Sequence, residues 1–230
     1  MIRNVRTFLV EKVFYQSVAQ RPYSEEKSKE RSEFSPLVIT ISRQHGCYGA
    51  ETALALQKLL GSGWIVFHRE ILEAIAKDSD IEKEYLASFD EKTIPWIEQI
   101  VRGFYRPYMN DSAYLNYLKK FLVPLAKIGK VIVIGRGANF ILKNGFHVRL
   151  VGPISARIKN LMENNKYTSS QAASEIEEAD KQRFKFIKNM FGADVDDPLN
   201  YDLVVNTKDL NFQEVAKLLY EATKLAKIFQ

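Results

Sequence analysis

Leu37-Val38-Ile39-Thr40-Ile41-Ser42-Arg43-Gln44-His45-Gly46-Cys47-Tyr48-Gly49-Ala50-Glu51-Thr52 starts as a β-branched apolar run and ends where an Ala/Leu-rich helical pattern begins. The run through Ser42 has the composition of a strand covered on both faces. Gly46 and Gly49 permit a sharp turn in which backbone N–H groups converge on an anion. A helix starting behind that turn adds its unsatisfied donors and the positive end of its dipole. The stretch therefore reads as strand, turn and helix, with a phosphate cradle and a plain strand–turn–helix connection as the competing readings of the turn.

Working outward, four more short apolar runs follow at 64–67, 131–134, 148–151 and 203–206. Helical patterns separate them, at 52–60, 69–77, 114–128, 154–164, 169–190 and 211–228. Pro124 is expected to kink or break the third of these. The closing one carries Phe212, Val215, Leu218, Leu219 and Ala222 as its apolar stripe. Strands alternating with helices imply βα units, a mainly parallel sheet and an α/β fold. Such sheets bind ligands at the carboxyl ends of their strands, so function is sought in the residues after each strand.

The chain has 230 residues, 46% of them hydrophobic, enough for one large α/β domain. A count of 33 basic against 28 acidic residues gives a net charge of +5. That suits an anionic ligand, and with no dense Lys/Arg run it gives no expectation of stable nucleic-acid binding. The lone cysteine, Cys47, excludes an internal disulfide and leads to the expectation of a cytoplasmic protein. Residues 1–20 read as an amphipathic helix, because Glu11 and Lys12 interrupt the apolar run too early for a signal core or a membrane span. Residues 21–35 are polar and read as a linker, leaving the main domain at 36–230.

The third strand ends in Gly135-Arg136-Gly137. An arginine between glycines at a strand's carboxyl end can turn its planar fork into the cleft and bind phosphate bidentately; the competing reading is a surface loop arginine. Farther on, Lys181, Arg183, Lys185 and Lys188 concentrate positive charge. Lys181, Lys185 and Lys188 share a helical face, suited either to closing over phosphates or simply to solvent. His45 and His68 are expected near the cleft, without the Cys/His/Asp spacing of a metal cage. His147 reads as structural. Cys47 reads as a small turn residue, and Glu51 and Thr52 as first-turn helix residues rather than metal contacts. The aromatic residues from Trp96 to Tyr117 read as packing between helices.

The blocks VITISRQHGCYGAE, FHREIL, VIVIGRGANFIL, EEADKQRFKFIKNMFG and DPLNYDLVVNT, in this order, resemble the cytidylate kinase-like family of P-loop nucleoside monophosphate kinases. The resemblance covers about residues 37–226. It implies a three-layer fold whose five-stranded parallel sheet has the order 2-3-1-4-5, with a mobile lid around 165–198. It also implies phosphoryl transfer from Mg-ATP to a nucleoside monophosphate, CMP or dCMP first of all. Gly46, Cys47, Tyr48, Gly49, Ala50, Glu51 and Thr52 would then cradle the ATP phosphates. Arg136 would contact the acceptor phosphate or the transferring group, with His68 and Arg69 near the acceptor. Asp180, Lys181 and Arg183 would belong to the lid, and Asn206 and Thr207 would lie near the adenine.

The departures are specific. A full phosphate loop reads G-x-x-x-x-G-K-S/T, with the lysine reaching the outer phosphates. Here Ala50 follows Gly49, and no alignment of the turn supplies a cation. His68 stands where an Asp commonly precedes the acceptor block, and Tyr48 is bulky where glycine is usual. Arg43 or a lid arginine is the expected replacement for the missing charge. Two alternatives stay open: a nucleotide-binding regulatory or inactive kinase-fold protein, and a small-molecule kinase with another acceptor.

Overall fold

A computed structural model of the chain describes residues 37–61, 63–68 and 129–226, with helical positions at 115–116, 118–119, 122–123 and 126. The expected helices at 1–20 and 69–77, the linker, and Arg69 lie outside the described residues. In chain order the elements are β1 (Val38–Arg43), α1 (Gly49–Leu60), β2 (Ile65–Phe67), β3 (Val131–Ile134), α2 (Ala138–Ile141), β4 (Phe146–Val151), α3 (Ile154–Asn165), α4 (Ser169–Phe191), β5 (Leu203–Asn206) and α5 (Phe212–Leu225). The sheet is five-stranded, with order β2-β3-β1-β4-β5. Every pairing is parallel. The expected fold class and strand order are both present.

Alternation along each strand divides the core. Ile39, Ile41, Ile132, Ile134, Val148 and Leu150 face α1 and α5, where they meet Ala53, Leu56, Val215, Ala216 and Leu219. Val38, Val131 and Val133 alternate with them and are also buried, so both faces are covered. No helix among the described residues is long and apolar enough to cross a membrane.

Two elements differ from the sequence reading. β4 starts at Phe146 rather than Val148, because Phe146 pairs with Ile39 and His147 with Thr40. His147 interrupts the apolar run, yet its Nδ1 lies 2.8 Å from the Thr40 hydroxyl and its backbone N–H donates to Asp202 at 2.7 Å. Burial lowers its pKa, in keeping with the structural role expected for it. The second difference is α2, a single helical turn right after Gly137 that is too short to carry a helical period.

Side chains cap the N-termini of α4 and α5. Thr168 caps α4, and its partner Gln171 completes a capping box; Gly192 ends the helix in the left-handed region at φ 66°. Asn211 caps α5 by accepting from Gln213 N at 2.9 Å and Glu214 N at 3.0 Å. Because α5 packs along α1 in the main core, this cap bears on the helix behind the β1–α1 turn. Asn211→Ala is expected to cost about 1 kcal/mol in urea denaturation, whereas Asn211→Asp, which keeps an acceptor, should cost far less.

Candidate phosphate site

The β1–α1 turn lies at the carboxyl end of the central strand, between the ends of β3 and β4. No side chain caps α1, whose N-cap Tyr48 takes the left-handed conformation at φ 54° and ψ 32°. The first-turn donors of α1 thus face a place where an anion is favoured. The Tyr48 ring sits 6.2 Å from Phe212 on α5, and its hydroxyl bonds with Asn164 on α3. Tyr48 thus leans on α3 and α5.

The glycines are explained by what passes next to them. At Gly46, φ is +85°, and an added Cβ would stand 2.8 Å from the Arg157 carbonyl oxygen, so α3 abuts the turn. At Gly49, a Cβ would stand 2.9 Å from Arg43 Cγ. A Cβ on Gly135 would collide with Arg43 Nη1. Arg43 therefore runs from the end of β1 through a slot between α1 and the end of β3, beside the turn where the lysine is missing. Gly135, Arg136 and Gly137 all have positive φ, at 73°, 58° and 63°. Arg136 is a non-glycine residue held there, a conformation that costs of order 1–3 kcal/mol. A Cβ on Gly137 would strike the Phe191 ring, which stacks on Phe140 at 5.0 Å between centroids. The end of α4 thus rests on the Gly-Arg-Gly turn.

From α4, Asp180 and Arg183 point inward. They share a stripe with the buried Ala172, Ile176 and Ile187, spaced at helical intervals. Lys181, Lys185 and Lys188, the basic face read from the sequence, are exposed instead. Asp180 Oδ1 accepts from the backbone N–H of His45 at 2.8 Å and from Arg183 Nη1 at 3.0 Å. Its Oδ2 accepts from Arg157 Nη1 at 2.5 Å. Arg157 also donates to the His45 carbonyl, and Asn160 Nδ2 donates to the Gly46 carbonyl at 2.9 Å.

His45 joins the same knot. Arg183 Nη2 lies 3.2 Å from its Nδ1. A guanidinium is always a donor, so Nδ1 accepts and the ring proton sits on Nε2, 3.8 Å from Glu175 Oε1. Burial, and then the Arg183 charge, push its pKa down to about 4, so the imidazole is neutral near pH 7. Cys47 is buried, which pushes its thiol pKa up, and it bonds to Thr207. A small turn residue fits; an activated thiol does not.

The remaining expected residues fall in different places. Thr207 is buried beneath the turn, where its hydroxyl donates to the Val151 carbonyl at 3.2 Å. Asn206 is exposed and accepts from Lys208 N at 3.0 Å. His68 follows the edge strand β2 and is only 5% exposed, leaving little of it open to an acceptor. Thr52 is fully buried in α1. Among the described residues, no cluster of His, Cys, Asp and Glu could hold a metal ion. The sequence reading missed Arg157 and Gln44, whose Oε1 accepts from Gly152 N at 3.0 Å. A signal existed for Arg157: it precedes Leu161 by one helical turn on the buried face of α3.

A family model described as the cytidylate kinase-like family matches residues 38–209. A cytidylate kinase of Thermococcus kodakarensis is 33% identical over 86 residues, 37% of this chain and 45% of that protein. An S-adenosylmethionine-dependent nucleotide dehydratase of Lacinutrix mariniflava is 39% identical over 88 residues, again 37% of this chain but 18% of that protein. The matched part spans less than half the length of these curated relatives. A solved structure of an uncharacterized protein from Eubacterium ventriosum shares the fold, with a TM-score of 0.60 at 17% identity, over 82% of this chain and 98% of that one.

Two measurements check the knot. By imidazole nitrogen NMR, His45 is expected as the Nε2–H tautomer with a midpoint near pH 4. The unfolded chain takes up this proton between pH 6.5 and about 4 and the folded chain refuses it, so stability falls as pH drops through that window and is indifferent to His45 above it. Asp180→Ala strands the buried Arg157 cation and is expected to cost about 3 kcal/mol in denaturant titration.

Proposed function

The chain belongs to the cytidylate kinase-like family, and from that premise we propose that it transfers the terminal phosphoryl group of Mg-ATP to a nucleoside monophosphate, with CMP or dCMP as the favoured acceptor. Such transfer asks little covalent chemistry of the protein; positioning and charge neutralisation dominate. The observation that carries the proposal is the course of Arg43 between Gly49 and Gly135. It sets a permanent cation beside the open N-terminus of α1, in the region that a phosphate-loop lysine would serve.

The roles follow from that arrangement. The turn from Gly46 to Thr52 cradles the ATP phosphates, chiefly through backbone N–H groups, and magnesium arrives with the nucleotide. Arg43 offsets charge that builds during transfer. Arg136, held in its strained turn, engages the acceptor phosphate or the migrating group. Arg69 serves the acceptor side and the exposed Asn206 the adenine side, whereas the buried His68 and Thr207 shape those sides from behind. Helix α4 serves as the lid that brings Asp180 and Arg183 to the turn, with Lys181 on its exposed face, and excludes water.

A second reading has its own observation. Ala50 stands where the lysine is expected, and Arg157 and Arg183 are both engaged by Asp180. A chain so supplied can bind nucleotide yet transfer nothing. An ADP-release assay with Mg-ATP across nucleoside monophosphates separates the two. Turnover with CMP or dCMP above other acceptors is expected; nucleotide-induced thermal stabilisation without turnover for any acceptor selects the binding-only reading. In the active case, Arg43→Ala should lower kcat by about 10²–10³-fold, the usual loss on removing one preorganised transition-state donor.

A further inference from the structure

Arg149 lies inside β4 and is 4% exposed. A guanidinium keeps its charge at any ordinary pH, so burying one is unfavourable unless its donors are well placed. Nη1 donates to the Ser42 hydroxyl on β1 at 2.9 Å, and Nη2 donates to Asp196 at 2.5 Å. The guanidinium carbon is 5.7 Å from the centroid of the Tyr201 ring. The Tyr201 hydroxyl donates to the Val195 carbonyl at 2.8 Å and lies 3.4 Å from the Ser42 hydroxyl. Asn139 on α2 reaches the same segment through the Asn200 carbonyl.

These contacts have one thing in common. Ser42 directly precedes Arg43. Residues 194–201 are the path by which the chain returns from α4 to the sheet. Gly192, between α4 and that path, is left-handed, with open space where a Cβ would be. One buried cation therefore joins the strand that feeds the phosphate turn to the base from which α4 departs.

We propose that Arg149 is a positioning residue that, with Asp196 and Tyr201, fixes the base of α4 and so sets the seat of Asp180, Arg183 and Phe191 over the phosphate site. Simple stabilisation is a poor account of it, because replacing a buried ion pair by apolar groups is often neutral or favourable. Asp196 is also 59% exposed, so the pair does not shield both partners from water. A fixed geometry is what a two-pronged donor between Ser42 and Asp196 supplies. The link to catalysis rests on the phosphoryl-transfer reading; the link to α4 does not.

Amide hydrogen exchange on the full chain tests this without any turnover. Asp196→Asn and Arg149→Met should each speed exchange of the last turns of α4 and of residues 194–201 by about tenfold, leaving α1 and β3 unchanged. The double variant should add nothing to either single one, and Arg149→Lys should recover part of the protection. Unchanged exchange in 194–201, additive effects, or a uniform rise across the chain with Asp196→Asn overturns the proposal. Asp196→Asn removes the partner's charge but keeps an amide oxygen that can still accept from Arg149 Nη2, so it decides the matter if Arg149→Met does not fold. In a chain that turns over, both variants should lower kcat with little change in the KM for Mg-ATP. Local exchange changes without any wild-type turnover would retain this inference and reject the kinase reading. Turnover with unaltered exchange in the variants would do the reverse.

Discussion

The carboxylate of Asp180 reconciles groups that otherwise repel. Arg157 comes from α3 and Arg183 from α4, and both are drawn to it. The same carboxylate takes the backbone N–H of His45, so the turn, α3 and α4 share one fixed point. Because it is held by charge-assisted bonds, the arrangement is directional as well as strong. Gly46 follows from it: the turn and α3 are pulled so close that no side chain fits between them. His45 is neutral because burial, and then the Arg183 charge, lower its pKa against the opposing pull of Asp180.

A second layer of order runs beneath the sheet's carboxyl ends. Thr207 and Cys47 brace the turn from below, Gln44 ties it to Gly152, and Phe191 seals the Gly-Arg-Gly turn. These contacts join the ends of β1, β3, β4 and β5 into one platform. Strain is admitted at two positions of it, Tyr48 and Arg136, both left-handed without being glycine. The surroundings must hold such residues in place, which is how a platform fixes a side chain's direction.

The sheet was legible because each strand is a short β-branched run, and an apolar run flanked by glycines leaves few other conformations. The strand order came from the family resemblance, since periodicity alone does not choose neighbours. α2 escaped notice because one helical turn has no period to detect. The site was legible where a role depends on local chain direction, as with Gly46, Gly49 and the Gly135–Gly137 turn. It was not legible where a role depends on partners distant in sequence. Arg149 meets Ser42, and Arg157 meets His45 and Asp180, only after folding. On α4 the sequence pointed to Asp180, Lys181 and Arg183 together, and only the folded helix separates the inward Asp180 and Arg183 from the exposed Lys181.

The collisions recorded at Gly46, Gly49, Gly135 and Gly137 carry an evolutionary consequence. Each glycine lies against protein atoms, namely the backbone of Arg157, the stem and tip of Arg43, and the ring of Phe191. Gly46, at positive φ against the Arg157 backbone, and Gly137, at positive φ against the Phe191 ring, are needed for the fold whatever the turn binds. The glycine signature of this turn is thus a record of ancestry and architecture, and the side chain lying in the slot is the better witness to chemistry.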